Sequence, residues 1–235
     1  MPGTRNVIIN NVWNKQHASG YASQQCILKR CTNGGQQYGW TWDWPPLDRT
    51  TSFASPEIVF GRKPWDGGAS TTPDLPKTIN ALGHLNLDFS VEITAVPSYN
   101  LNATMWLTRT GAAPTTADPE NIVAEVMVRF DDPANLGGCC VSDGTATLGN
   151  YTFDVYHQDA HADASGGSSY TWKMVIYEGH MSTHAAQLDL ALVLKDMVTK
   201  GLADSSQAAQ GVELITEVSG DQGELWLNRF DVTVE

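Results

Sequence analysis

Along Ala124-Glu125-Val126-Met127-Val128-Arg129-Phe130 the apolar residues alternate, which is the two-residue period of a half-buried β-strand. Ala124, Val126, Val128 and Phe130 form the face that enters a core. Glu125, Met127 and Arg129 share the other face, where a carboxylate stands in a row with a thioether and a guanidinium. A carboxylate held on rigid backbone suits chemistry; a solvated face carrying a Glu125–Arg129 surface pair is the plain alternative. Comparable runs, bounded by Gly, Pro, Asn and Asp, predict strands at Asn6–Trp13, Gln25–Lys29, Trp40–Trp44, Ser55–Gly61, Leu85–Val96 and Ala103–Thr108. More follow at Tyr151–Tyr156, Tyr170–Tyr177, Gly211–Val218 and Glu224–Val234. One segment departs from the pattern. Between Ala185 and Lys200, Leu190, Val193, Leu194, Met197 and Val198 recur at helical spacing, and Gly201 is a C-terminal stop. About ten strands, one helix, no repeat and no linker predict a single all-β domain over residues 1–235.

Composition narrows the partners. The chain has 235 residues, 17% of them charged, and a formal net charge of −12. That charge argues against a nucleic-acid backbone or an anionic membrane as partner and is compatible with a neutral polysaccharide. No apolar run approaches the roughly 20 residues of a membrane span. Met1-Pro2-Gly3 opens no signal peptide, which leaves a removed export signal or a cytosolic location. Cys26, Cys31, Cys139 and Cys140 allow three pairings, among them a short Cys26–Cys31 bridge and a vicinal Cys139–Cys140 bond. Their even number tilts toward an oxidising compartment. Asn102-Ala103-Thr104 and Asn150-Tyr151-Thr152 are glycosylation acceptors by pattern. His157, Asp159, His161 and Asp163 read as a polar loop more readily than as a ligand set, so no metal or cofactor is expected.

Five of the eight tryptophans precede residue 66. Trp40, Trp42 and Trp44 share one side of a strand. Pyranose rings stack on such planes, whereas a β-sandwich also uses indoles as core filler. The number of early tryptophans favours a binding surface made by Trp13, Trp42 and Trp65. A glycosidase further needs two carboxyls flanking the scissile bond. Glu217, at the lip of the turn that runs into Gly220, is the second candidate; Asp43, Glu57, Asp154 and Glu213 compete with it.

Several stretches, in order, resemble glycoside hydrolase family 12, the small jelly-roll endo-β-1,4-glucanases. Asn10-Asn11-Val12-Trp13 is similar to the family's NN-x-W strand, and Ser55-Pro56-Glu57-Ile58-Val59-Phe60-Gly61 to its YPEI-x-x-G strand. Ala124-Glu125-Val126-Met127-Val128 resembles the E-[LIV]-M-[LIV]-W strand that carries the nucleophile. Leu188-Asp189-Leu190 through Gly201 resembles the helix, and Glu217 falls on the G-[TF]-E strand of the acid/base. The resemblance covers nearly the whole chain. It implies a jelly-roll β-sandwich of two curved antiparallel sheets with the helix on the convex side, and an open cleft on the concave side.

It also implies a retaining mechanism on internal β-1,4-glucan bonds. Glu125 would attack the anomeric carbon and Glu217 would protonate the leaving oxygen, with their carboxyls about 5–5.5 Å apart. Met127 would lie under the nucleophile's subsite, Asn11 with Trp13 would hold a sugar, and Trp42, Trp65 and Arg129 would line the cleft. The implied enzyme is an extracellular monomer acting on β-glucan without a metal. Three departures stand out. Arg129 replaces the tryptophan that ends the nucleophile strand, and an arginine there should lower the pKa of Glu125. No aspartate occurs between Ser98 and Thr110, where the family places a helper carboxylate; Thr104 or Trp106 stands nearest. Ile215-Thr216 precedes Glu217 in place of glycine. These departures keep two other readings open: a β-glucan-binding jelly roll without turnover, and a sibling jelly-roll xylanase.

Overall fold

The computed structural model describes residues 6–32, 34–46, 52–133, 140–162 and 169–235. Its strands are β1 (Asn6–Ile9), β2 (Gln24–Thr32), β3 (Gly35–Trp44), β4 (Glu57–Gly61), β5 (Lys77–Thr78), β6 (Leu85–Ala95), β7 (Tyr99–Thr108) and β8 (Ile122–Asp131). They continue as β9 (Val141–Leu148), β10 (Tyr151–Ala162), β11 (Thr171–Gly179), β12 (Ala185–Asp189), β13 (Ala208–Ala209), β14 (Gly211–Val218) and β15 (Asp221–Val234). The helix α1 is Leu190–Thr199. Two sheets form. The larger runs β1-β4-β14-β7-β8-β11-β10-β9, with β13 and β5 attached at one end of β7; the smaller runs β12-β6-β15-β3-β2. This is the jelly-roll sandwich expected, with one difference: β11 pairs with β8 in parallel, because the β9–β10 hairpin lies between them in the chain.

The alternation at residues 124–130 is realised as read. Ala124, Val126, Val128 and Phe130 are at most 2% exposed and pack between the sheets. The helix is shorter than its periodicity suggested. Ala185–Asp189 is a strand paired with β6, and Asp189 ends it as the N-cap, its side chain accepting from the backbone N–H of Ala191. The apolar stripe Leu190, Val193, Leu194 and Met197 buries into the same core, and Tyr177 Oη of β11 donates to Asp196 on the helix. The helix thus closes the core-facing side of the large sheet beside the small one.

The tryptophan row does not line a cleft. Trp40, Trp42 and Trp44 are 0–3% exposed and point from β3 into the space between the sheets. Trp40 Nε1 donates to Thr216 Oγ1 of the opposite sheet at 2.6 Å, and Trp44 stacks on Phe53. Gly223 pairs with Trp42 and leaves its ring the room that a Cβ would occupy. Trp42 is therefore core and not a sugar contact. Trp40→Ala should destabilise by about 3–5 kcal/mol, read as a lowered denaturant midpoint in a chain that still folds.

The Cys26–Cys31 bridge is likewise excluded. Both cysteines are free. They sit five residues apart along β2, roughly 16 Å in extended backbone, against the limit of about 7 Å for bridged Cα atoms. Cys140 is disulfide-bonded, and Cys139 lies outside the described residues.

Candidate active site

On the large sheet the face turned away from the core is recessed. Asn100, Asn102, Thr104, Met127 and Arg129 all point that way, yet none is more than 4% exposed. Met127 joins Met174 and Ile176 of β11 in an apolar patch at its centre. Glu125 stands two residues from Met127 and pairs across the sheet with Trp106 on β7 and Met174 on β11.

Two indoles hold two carboxylates here. Trp172 Nε1 donates to Glu125 Oε2 at 3.1 Å, and Trp106 Nε1 donates to Glu213 Oε2 at 3.3 Å. The two rings meet edge to face with centroids 5.7 Å apart, and Trp65 packs on both at 5.6 and 5.1 Å. The loop after β4 carries Trp65, so it closes this end of the face. Glu125 and Glu213 are thereby fixed against one aromatic cluster.

Strand register separates Glu213 from Glu217. Both lie on β14 and, four residues apart, on the same face. Glu213 pairs with Thr104 and Glu217 with Asn100, while Glu125 pairs with Trp106 on the other side of β7. Glu213 is thus two β7 positions from Glu125 and Glu217 is six, yet the charge of Glu217 bears on the Glu125 carboxyl more than that of Glu213, so the curved sheet brings both to face Glu125. Glu217 accepts from Asn100 Nδ2 at 2.8 Å, and Asn100 Oδ1 accepts from Asn102 Nδ2 at 2.8 Å. Thr104 faces Glu213 on one side and Met127 on the other; its buried Oγ1 has no partner among the described residues.

The carboxyl of Glu125 is raised to about 7 from the ordinary 4.5. Burial is the main cause; the Trp172 hydrogen bond opposes it, the charges of Glu217 and then Glu213 add to it, and Lys63 lowers it. This reverses the expectation drawn from Arg129. That guanidinium is four residues away, roughly 13 Å along β8, and is engaged by Glu178 at 3.1 Å and Asp132 at 3.4 Å. It is 4% exposed. Arg129 serves a local ion cluster and not the Glu125 carboxylate.

No family model matches the sequence, and no curated protein matches it. Solved structures do. A native family 12 xyloglucanase from Bacillus licheniformis superposes with a TM-score of 0.85 at 25% identity, over 100% of this chain and 95% of that one. An endoglucanase from Rhodothermus marinus gives 0.73 at 20% identity, over 98% and 92%. Trichoderma harzianum endoglucanase 3 from family GH12 gives 0.75 at 15%, over 99% and 92%. The fold is that of glycoside hydrolase family 12.

Asn11 and Trp13 lie at the opposite end from Trp65. The Asn11 carbonyl accepts from the Ser55 N–H, Trp13 Nε1 donates to Ser55 Oγ at 3.2 Å, and Ala54 bridges Val12 to Val218 beside Glu217. Trp13 with Glu217 and Trp65 with Glu213 therefore mark the two ends of one face.

The polar run on β10 is tied up in pairs. His157 Nδ1 lies 2.7 Å from Asp143, Asp159 lies 2.9 Å from Lys173, and His161 Nδ1 lies 3.1 Å from Gln158 Oε1. Asp163 lies outside the described residues. Among the described residues no three His, Cys, Asp or Glu side chains cluster as a metal site. Asn102 is 0% exposed and so cannot accept a glycan, whereas Asn150 is exposed in the β9–β10 turn. No helix among the described residues is long and apolar enough to cross a membrane.

Proposed function

We propose that this chain is a retaining endo-glycosidase of β-1,4-glucans, with xyloglucan and mixed-linkage glucan among its substrates. It acts outside the cell, as a monomer, without a metal or other cofactor. The observation that carries the reading is a recessed sheet face on which Trp172 holds the raised Glu125 carboxyl and the charge of Glu217 bears on it. The likeness to a xyloglucanase and to endoglucanases supports the substrate class. A net charge of −12 leaves a neutral polymer as the natural partner.

In this reading Glu125, ionised, attacks the anomeric carbon and forms a glycosyl-enzyme. Glu217 gives its proton to the leaving oxygen and then takes one from the water that releases the sugar. Retention requires the two carboxyls to stand roughly 5–5.5 Å apart. Met127 and Met174 floor the site, and Asn11, Trp13 and Trp65 offer sugar contacts along the face. Glu213 is kept as a second candidate for the acid/base role. Glu217 is more exposed than Glu213, which is 2% exposed, and its charge acts more strongly on Glu125.

Reducing-sugar release from soluble barley-type β-glucan, xyloglucan and xylan between pH 5 and 9 tests the proposal. Hydrolysis of the glucans in preference to xylan is expected, with the β-anomer appearing first by NMR. Binding without release at every pH would leave a lectin-like module, and xylan as the better substrate would leave the sibling xylanase.

A further inference from the structure

The double displacement leaves one indole beside Glu125 without a part. Trp172 stands on β11, where Met174 pairs with Glu125, so it is the diagonal neighbour of Glu125 on the same face. Its Nε1 donates to Glu125 Oε2 at 3.1 Å, and the residue is 6% exposed. The directly paired neighbours supply no donor: Trp106 Nε1 turns to Glu213, and Met174 has none. Three rings fix the plane of Trp172. Trp65, Trp106 and His161 meet it edge to face, with centroids at 5.1, 5.7 and 5.3 Å. The imidazole is there because β10 carries a bulge. Gln158 pairs with Met174 and His161 with Trp172, so β10 advances by three residues while β11 advances by two. Regular pairing would set Ala160 opposite the indole, and the extra residue brings His161 there instead.

We propose that Trp172 is the positioning residue of the nucleophile: its N–H pins one carboxyl oxygen of Glu125, presents the other to the anomeric carbon and favours the charged form. The inference deepens the proposed function and rests on it. The β7 residues that pair with β8 on this face, Asn102, Thr104 and Trp106, include no carboxylic acid, so the support for Glu125 comes from the other side. An indole is a donor only and does not ionise in the working range, so it holds the carboxylate equally at every pH. Burial is the main influence on the Glu125 carboxyl and raises it; the Trp172 bond opposes burial, because a donor stabilises the charged form. The charges that bear on Glu125 are those of Glu217 and Glu213 on β14, which raise it, and of Lys63 after β4, which lowers it. Arg129 is engaged by Glu178 and Asp132, and Lys173 turns to Asp159. From β10, His161 faces the indole.

Trp172→Phe removes the N–H and keeps an aromatic ring for Trp65, Trp106 and His161 to pack on. The acid limb of the kcat/KM profile, near 7 in the parent, should move up by about one pH unit. Below the limb the rate should fall roughly tenfold, on soluble β-glucan and on a dinitrophenyl β-cellobioside alike, because both need the nucleophile. Well above the limb the loss should shrink to about threefold. An unmoved limb with one loss at every pH would make Trp172 mere packing and overturn the inference. His161→Phe keeps the edge contact without a titrating group and should leave the limb in place. A limb that moves with this change belongs to the imidazole, which also overturns the inference. The parent supplies a readout that needs no stable variant. Nitrogen-15 spectra should show an indole N–H shifting downfield as pH rises, with a midpoint near 7, and Glu125→Gln should abolish that shift. Indole signals that stay flat through this range overturn the inference even in an active enzyme. A titrating indole in a chain that hydrolyses no β-glucan overturns the proposed function instead.

Discussion

Glu125→Gln is expected to cut turnover by on the order of 10⁴-fold while making the folded chain more stable above neutral pH. The two effects have one origin. Burial raises the Glu125 carboxyl to about 7, so its charged form is disfavoured in the folded state. A group with a raised folded pKa contributes stability that is fully present below its unfolded value and is lost as pH climbs through the folded one. The parent therefore loses stability between about pH 4.5 and 7 on account of this residue. At roughly 1.4 kcal/mol per pH unit, the loss is on the order of 3–4 kcal/mol. The uncharged amide keeps the hydrogen-bonding shape and removes that loss. Thermal melts should show the variant close to the parent at pH 4 and higher by roughly 7–10 °C at pH 8. Kinetically, the parent's kcat/KM should rise toward neutral pH as Glu125 ionises, with a limb near 7. A variant of unchanged activity would remove Glu125 from the mechanism. Replacing Glu125 by Gly should allow azide to form a glycosyl azide, because a small anion fits where the nucleophile stood.

The second large effect separates Glu217 from Glu213. Glu217→Gln should lower turnover on β-glucan by roughly 10³-fold or more, and much less for glycosylation by an activated aryl cellobioside. Glu213, buried beside Lys63 and bonded by Trp106, should act on stability more than on the leaving-group step when changed to Gln. The reverse pattern would assign the acid to Glu213, whose register position lies closer to Glu125. The electrostatics favour Glu217: of the two, its charge bears more strongly on Glu125. Trp106→Phe deletes the indole donor to Glu213 and should leave the leaving-group dependence of the parent.

The period of β8 was legible because it is local: alternation alone puts Val126 in the core and Glu125 opposite. The stripe from Leu190 to Met197 was legible for the same reason, and Asp189 as N-cap explains why the helix starts later than its apolar pattern. The same rule says that Trp40, Trp42 and Trp44 share a face, but not whether that face meets solvent or the opposing sheet. A sandwich has both kinds of face. Only the packing of β3 over Thr216 and Phe53 made the indoles core.

Glu213 and Glu217 pose the same difficulty along the strand instead of across it. Residues four apart in β14 are equivalent by period, so no local pattern ranks them. Long-range register gives them different neighbours, Thr104 for Glu213 and Asn100 for Glu217, and register depends on every contact in the sheet. The effect of Arg129 on Glu125 was misjudged because nearness in sequence is not nearness in space: the guanidinium is held by Glu178, 49 positions further on. By itself the sequence determined that this is a β-sandwich with a carboxylate on a strand's outer face and one helix behind. Tertiary structure alone decided which carboxylates bear on its charge and which tryptophans are buried as core. Charges and rings act through distances of a few ångströms, and it is the fold that sets those distances.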